Sequence, residues 1–222
     1  MEIYDISGPL QKGMWDYGKP YIPYDSNCIA TIEKNGYIAR ELKITTHTGT
    51  HVECGGHWWS NATPINEYGL ERFYGEAIVL NLECKCVPFG EIDVSDLVEA
   101  GAGSLKEGDI CILKTGWDVN WFDEKYVSQT PFITVDSAKY LVGKKIKLLG
   151  TDFSVCGDPR DGIDFVPEGL ELPDHILSYA DIPYVLGLAN LNNIPEIVYF
   201  AAFPLKIYGG DGSPVRAVAW NK

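Results

Sequence analysis

Short apolar runs, rich in β-branched residues and set off by turn formers, dominate this chain. Ala77-Ile-Val-Leu-Asn-Leu82, Asp109-Ile-Cys-Ile-Leu-Lys114, Ile146-Lys-Leu-Leu-Gly150 and Ile197-Val-Tyr-Phe-Ala-Ala202 are the clearest, and Ile44-Thr-Thr-His47 is a shorter one. Runs of this length and composition predict strands. Several are apolar at nearly every position instead of at alternate ones, which predicts strands buried on both faces. Helical patterning is rarer. Val94–Gly101 and Val135–Gly143 each follow a capping residue and close on glycine, and Leu172–Ala180 is a third candidate, carrying His175. Strands alternating with a few helices predict a mixed α/β fold. Without repeat, low-complexity tract or linker, residues 1–222 read as one domain. The aromatic, proline-rich stretch Gly13–Tyr24 has neither period. Residues 1–25 therefore read as an arm packing on the body or on a neighbouring subunit, with Trp15 among the walls of a substrate pocket.

Bulk composition narrows the function classes. A net charge of −13 and a pI near 4.6 disfavour nucleic acid and anionic membrane surfaces as partners. The start Met-Glu-Ile-Tyr-Asp lacks the basic and apolar regions of a signal peptide, and no apolar run approaches the ~20 residues of a membrane helix. The expectation is a cytoplasmic protein acting on a small molecule. Six scattered cysteines fit reduced thiols, and Cys84-Lys-Cys86 has the wrong spacing for a redox or zinc pair. Cys54 reads as a small packed residue before a soft metal ligand. Asp158–Asp164 lacks the oxygen spacing of a calcium loop, and Gly209–Gly212 lacks the lysine and helix of a phosphate cradle; both read as surface turns.

The histidines carry the chemistry. Three of the four fall in His47-Thr-Gly-Thr-His51-Val-Glu53-Cys-Gly-Gly-His57, and the fourth, His175, follows Asp174. Imidazole and carboxylate together suit Zn²⁺, Mn²⁺ or Fe²⁺. On a straight strand His47 and His51 would lie roughly 13 Å apart, too far for one ion. Helix is disfavoured by the threonines and the central glycine. The remaining solution is a sharp bend at Gly49, with Gly55-Gly56 folding the chain again so that His57 faces the same cavity.

This run resembles the His-x-Gly-Thr-His-x-Asp-x-Pro-x-His signature of the cyclase family of metal-dependent hydrolases, which includes kynurenine formamidase and isatin hydrolase. Four further stretches match in order: Asp5-Ile-Ser7-Gly-Pro9-Leu, Leu113-Lys-Thr115-Gly116-Trp117, Gly150-Thr151-Asp152-Phe-Ser154, and Pro204-Leu-Lys206 through Gly209, Gly212, Pro214 and Arg216. The resemblance implies a closed or half-closed central sheet of the swivelling β/β/α type flanked by helices, and homodimers or homotetramers. It implies hydrolysis of a C–N bond in an amide, formamide or cyclic amide. His47, His51 and Glu53 would hold the ion, His57 would move the proton, with Glu53 beside it in the chemistry, and His175 would bind a second ion or position substrate. Trp58 and Trp59 follow His57 directly and are candidate substrate walls.

Three positions depart from the pattern. Glu53 replaces aspartate, Gly55 replaces proline, and Leu186 stands where two-metal members carry a glutamate. A leucine cannot hold a cation, so one Zn²⁺ or Mn²⁺ per chain is expected instead of two, unless Asp158, Asp174 or Asp181 substitutes. The alternatives are a metal-dependent cyclase, dehydratase or lyase, or a metal-binding relative without catalysis.

Overall fold

The computed structural model describes residues 2–161 and 171–221. Its strands are β1 (Ile3–Asp5), β2 (Asp25–Ala30), β3 (Ala39–Lys43), β4 (His51–Glu53), β5 (Tyr74–Asn81), β6 (Glu91–Ile92), β7 (Ile110–Lys114), β8 (Phe132–Ile133), β9 (Leu148–Thr151), β10 (Tyr184–Leu186), β11 (Ile197–Ala201), β12 (Gly212–Pro214) and β13 (Val218–Trp220). The helices are short: α1 (Ile32–Asn35), α2 (Val94–Glu99), α3 (Lys125–Ser128), α4 (Val135–Gly143) and α5 (Pro173–Tyr179). Nine strands form one sheet in the order β1-β13-β11-β5-β7-β9-β10-β4-β12. Its centre, β5-β7-β9-β10, is parallel, and both ends are antiparallel. Each parallel step needs a crossover, and α2, α4 and α5 lie in the three crossover segments.

Alternate residues of the central strands feed two cores, as a period of two requires. Cys111 and Leu113 of β7 pack with Leu97 of α2, Leu141 of α4 and Leu177 of α5. Ile110 and Ile112 point the other way, to Val198 and Phe200 of β11, Ala219 of β13 and Val52 of β4. The antiparallel ends thus curl over the face that the helices leave open. Both faces of β7 are buried, matching the uninterrupted apolar run in the sequence. The mixed α/β expectation is borne out, as are the four long strand runs and all three helices.

The exception is Ile44–His47. Strand β3 ends at Lys43, and His47 sits in a turn. The threonines that look like strand formers lock that turn instead. The Thr45 N–H donates to Thr48 Oγ1 at 2.8 Å, and the His47 N–H to Thr45 Oγ1 at 3.3 Å. Strands β1 and β13 pair at the sheet edge, and Met14 and Trp15 are buried in the helix-side core, so the described part of the N-terminal arm packs on its own body. Trp15 stacks on Tyr126 with ring centroids 5.0 Å apart. Among the described residues no helix is long and apolar enough to cross a membrane, and all six cysteines are free thiols.

Asp152, at the end of β9, ties the loop after β7 to the core. Its buried carboxylate accepts from the Thr115 and Gly116 N–H groups and from the Thr115 hydroxyl, at 2.6–3.0 Å. Removing it strands buried donors. Asp152→Ala is expected to cost about 3–5 kcal/mol, because buried donors that lose their acceptor cost about 1–3 kcal/mol each, a fall in Tm of about 6–20 °C for a chain of this size. Calorimetry would read it, and Asp152→Asn, which keeps one acceptor oxygen, should lose less.

Candidate functional site

Strand β4 sets the site. His51 and Glu53 are two residues apart and share a face, while Val52 between them enters the opposite core. Gly49 has φ +67°, a left-handed conformation that L side chains rarely adopt, and this bend carries the His47 ring over the same face. The expected glycine bend is therefore present, placed in a turn instead of inside a strand. His47 Nδ1 lies 2.9 Å from Glu53 Oε1, and His51 Nε2 lies 3.1 Å from that same oxygen. His51 Nδ1 is 2.7 Å from the Gly49 carbonyl, an acceptor only, so Nδ1 carries the hydrogen and Nε2 the lone pair.

This donor set fits a divalent ion. One nitrogen from each histidine and one Glu53 oxygen lie within 4.8 Å of one another, and all three residues are buried. The extra methylene of Glu53 lets one carboxylate oxygen meet both imidazoles. Burial disfavours charge on either partner, but the Glu53–His47 attraction and its hydrogen bonds outweigh it. They hold Glu53 well below the usual carboxylate range and, with Asp211, raise His47 to about 9. Buried His51, also beside His47, is lowered.

A second cluster adjoins the first: His47, His57 and Asp211. Asp211 Oδ2 is 2.7 Å from His47 Nε2 and 3.2 Å from His57 Nδ1. Asp211 was not legible as a site residue, because it stands in the glycine-rich run Gly209–Gly212 that reads as a bare turn. The run is a turn, and it also delivers a carboxylate. Gly212 opposes Glu53 in the β12–β4 ladder, and a Cβ there would come within 2.6 Å of the Val52 carbonyl, so only glycine lets β12 approach so closely. His57 ends a short 3-10 turn closed by its N–H on the Cys54 carbonyl at 3.0 Å. The turn thus closes with Gly55 at the proline position of the motif. Cys54 is buried, with its Sγ donating to the Asp211 carbonyl at 3.2 Å and its thiol raised to about 11 by burial, as a packed residue should be.

An open cleft leads to these residues. Tyr17, Tyr21, Trp58, Leu172 and Leu186 give it apolar walls, and Glu53, His57, Asp158 and Asp174 give it polar ones. Among the candidate tryptophans only Trp58 lines it. Trp15 lies behind, its ring 6.4 Å from that of His51, and Trp59 packs outside against His175 and Tyr179. His175 is in neither metal cluster; its ring packs on Trp58 at 4.6 Å. The residue of α5 that faces the cleft is the preceding Asp174, whose carboxylate accepts from the Gly157 N–H at 2.9 Å. Burial and the Glu53 charge raise it to about 6. Asp158 lines the cleft, bound by Arg160, and residues 162–164 of that run lie outside the described residues. Asp181 is held away by Tyr68 and Arg72.

The sequence model described as "Putative cyclase" matches residues 4–155. The chain belongs to this family. It is similar to a kynurenine formamidase of Salinibacter ruber, 32% identical over 178 residues, covering 80% of this chain and 77% of that one. It is also similar to an isatin hydrolase of Roseibium aggregatum, 29% identical, covering 99% and 91%. Among solved structures, an isatin hydrolase bound to the product analogue thioisatinate superposes with a TM-score of 0.87 at 22% identity, covering 98% and 91%. A potential metal-dependent hydrolase with cyclase activity gives 0.75 at 25% identity, covering 100% and 98%. Within this cyclase-family chain, Leu186 pairs with His51 across the β10–β4 ladder and lines the cleft, so an apolar side chain occupies the wall beside Glu53. Leu186→Glu is expected to raise bound zinc or manganese above one ion per chain, read by elemental analysis. Unchanged stoichiometry would mean that this position does not reach a second ion.

Proposed function

We propose that this chain hydrolyses a carbon–nitrogen bond in an amide, formamide or cyclic amide, using one Zn²⁺ or Mn²⁺ held by His47, His51 and Glu53. The observation that carries the reading is the convergence of His47 Nδ1 and His51 Nε2 on one buried Glu53 oxygen at the wall of the cleft. Membership of the family and relatives named kynurenine formamidase and isatin hydrolase support an amide-type substrate. An ion bound there supplies Lewis-acid polarisation of the carbonyl and a water of lowered pKa.

The chain's own residues do the rest. The Gly49 carbonyl holds His51 in the tautomer that turns Nε2 inward. Tyr17, Tyr21, Trp58 and Leu186 wall the cleft with apolar surface, suiting a flat acyl or aryl group and limiting water. His57, on the same cleft, takes a proton from the attacking water and returns one to the leaving nitrogen. Water's oxygen bonds to the carbonyl carbon, the C–N bond breaks, and the products are a carboxylate and an amine. His175, packed on Trp58, acts from outside the metal clusters, positioning this wall.

The test uses chelator-stripped protein with Zn²⁺ or Mn²⁺ restored, formanilide and isatin as probes, and chromatography of products. Metal-dependent cleavage of formanilide to aniline and formate, or ring opening of isatin to a single product carrying both the amine and the carboxylate, is expected. A dehydrated or isomerised product would favour a lyase or cyclase, and no turnover with bound metal would favour a non-catalytic relative. The partner we propose is a second copy. The β2–β3 hairpin stands off the main sheet with Ile29, Ile32, Tyr37, Ile38 and Leu42 all more than half exposed. Sedimentation should give a dimer or tetramer that Ile38→Asp weakens; a monomer for the native chain would overturn this.

A further inference from the structure

We propose that Asp211 is a positioning residue that fixes both histidines of the site at once: His47 as an ion ligand through Nδ1, and His57 as the proton carrier through Nε2. This rests on the hydrolase reading above and goes beyond it. The geometry is a single carboxylate oxygen serving two rings. Oδ2 lies 2.7 Å from His47 Nε2 and 3.2 Å from His57 Nδ1, and the two ring centroids are 4.3 Å apart. A carboxylate only accepts, so the facing nitrogens, Nε2 of His47 and Nδ1 of His57, carry the hydrogens. A neutral ring then keeps its lone pair on the opposite nitrogen. For His47 that nitrogen is Nδ1, which without an ion also carries a hydrogen and donates to Glu53 at 2.9 Å, and which would present its lone pair to a bound ion once that hydrogen is given up. Metal-bound imidazoles commonly donate their second N–H to such a carboxylate, which fixes ring orientation and raises ligand basicity.

The backbone holds Asp211 for this task. Its carbonyl accepts from the Cys54 N–H at 3.2 Å, the Gly210 carbonyl accepts from the Ile65 N–H at 2.8 Å, and Gly212 starts the ladder with β4. The carboxylate is therefore carried on chain tied directly to the strand of His51 and Glu53.

The same geometry bears on the His47–His57–Asp211 cluster as an ion site. Both clusters contain His47. A neutral imidazole has one lone pair, so ordinary coordination fills one cluster or the other. In the first, the histidines converge on one buried oxygen at the cleft wall. The second is the outer support of the first.

The test compares wild type with Asp211→Asn, of the same shape, and with Asp211→Glu, which restores the carboxylate. Mn²⁺ titration of metal-free protein should show affinity falling about 10–100-fold in Asp211→Asn, with stoichiometry unchanged. At saturating Mn²⁺, kcat on formanilide should fall while KM holds, and Asp211→Glu should recover part of both losses. Side-chain nitrogen NMR of the metal-free proteins gives a readout independent of ion and activity. His57 should be the Nδ1–H tautomer in wild type and lose that preference in Asp211→Asn. Equal affinities, or the same His57 tautomer in both proteins, would overturn the proposal. Loss of one of two ions would make Asp211 a ligand and overturn it too. A wild type that binds no ion would sink the hydrolase reading, and the NMR arm would still decide the role of Asp211.

Discussion

His51→Ala is expected to abolish stoichiometric binding of divalent ion. In this chain His51 is fully buried, its Nδ1 hydrogen is committed to the Gly49 carbonyl, and its Nε2 points at the Glu53 oxygen shared with His47. Nothing else among the described residues of β4 or β10 replaces it, because Leu186 and Tyr184 are the cross-strand neighbours. Losing an outer carboxylate typically costs 10–100-fold in metal affinity, and losing a direct ligand costs more. Elemental analysis of protein prepared without chelator should fall from about one ion per chain to background. Stoichiometric metal retained in His51→Ala would remove this residue from the ligand set.

The second large effect is expected on turnover. His57 lines the cleft but contributes no atom to the His47–His51–Glu53 cluster. It is held by Asp211 Oδ2 and by the 3-10 turn that follows β4. Its removal should leave the ion in place and take away the proton carrier. A general acid or base contributes about 10²–10⁴-fold, so kcat of His57→Ala should fall by about that factor with metal content unchanged. Loss of the ion would make His57 a ligand. An unchanged kcat would pass its proton-carrying role to another group facing the same cleft, such as Asp174 or Glu53.

The parts of this fold that the sequence exposes are those where pattern and environment coincide. β7 is apolar from Ile110 to Leu113 because both faces are buried, and the capping residues Asp93 and Thr134 mark the starts of α2 and α4 where they stand. Strands β10, β12 and β13 have three residues each, too few to show a period, and β12 contains glycine and proline. They become strands because long-range partners hold them there.

The site follows the same division. His47, His51, Glu53 and His57 are close in sequence, and a glycine bend is enough to gather them. Asp211 lies far downstream, and only the β12–β4 ladder brings it to His47. Helix position decides the case of His175. It and Asp174 are adjacent on α5, yet the carboxylate turns into the cleft and the imidazole turns onto Trp58. A one-residue difference on a helix rotates a side chain by roughly 100°, and the pattern of Leu172–Ala180 does not reveal which of the pair faces inward.

The placement of the ion can be read by diffraction from crystals grown with Zn²⁺ or Mn²⁺, recorded at the absorption edge of that metal. One anomalous peak per chain is expected, about 2.0–2.2 Å from His47 Nδ1, His51 Nε2 and a Glu53 oxygen, with Asp211 in contact with His47 and not with the ion. A peak between His57 and Asp211 instead, or no peak at His51 in protein that hydrolyses amides, would contradict this placement.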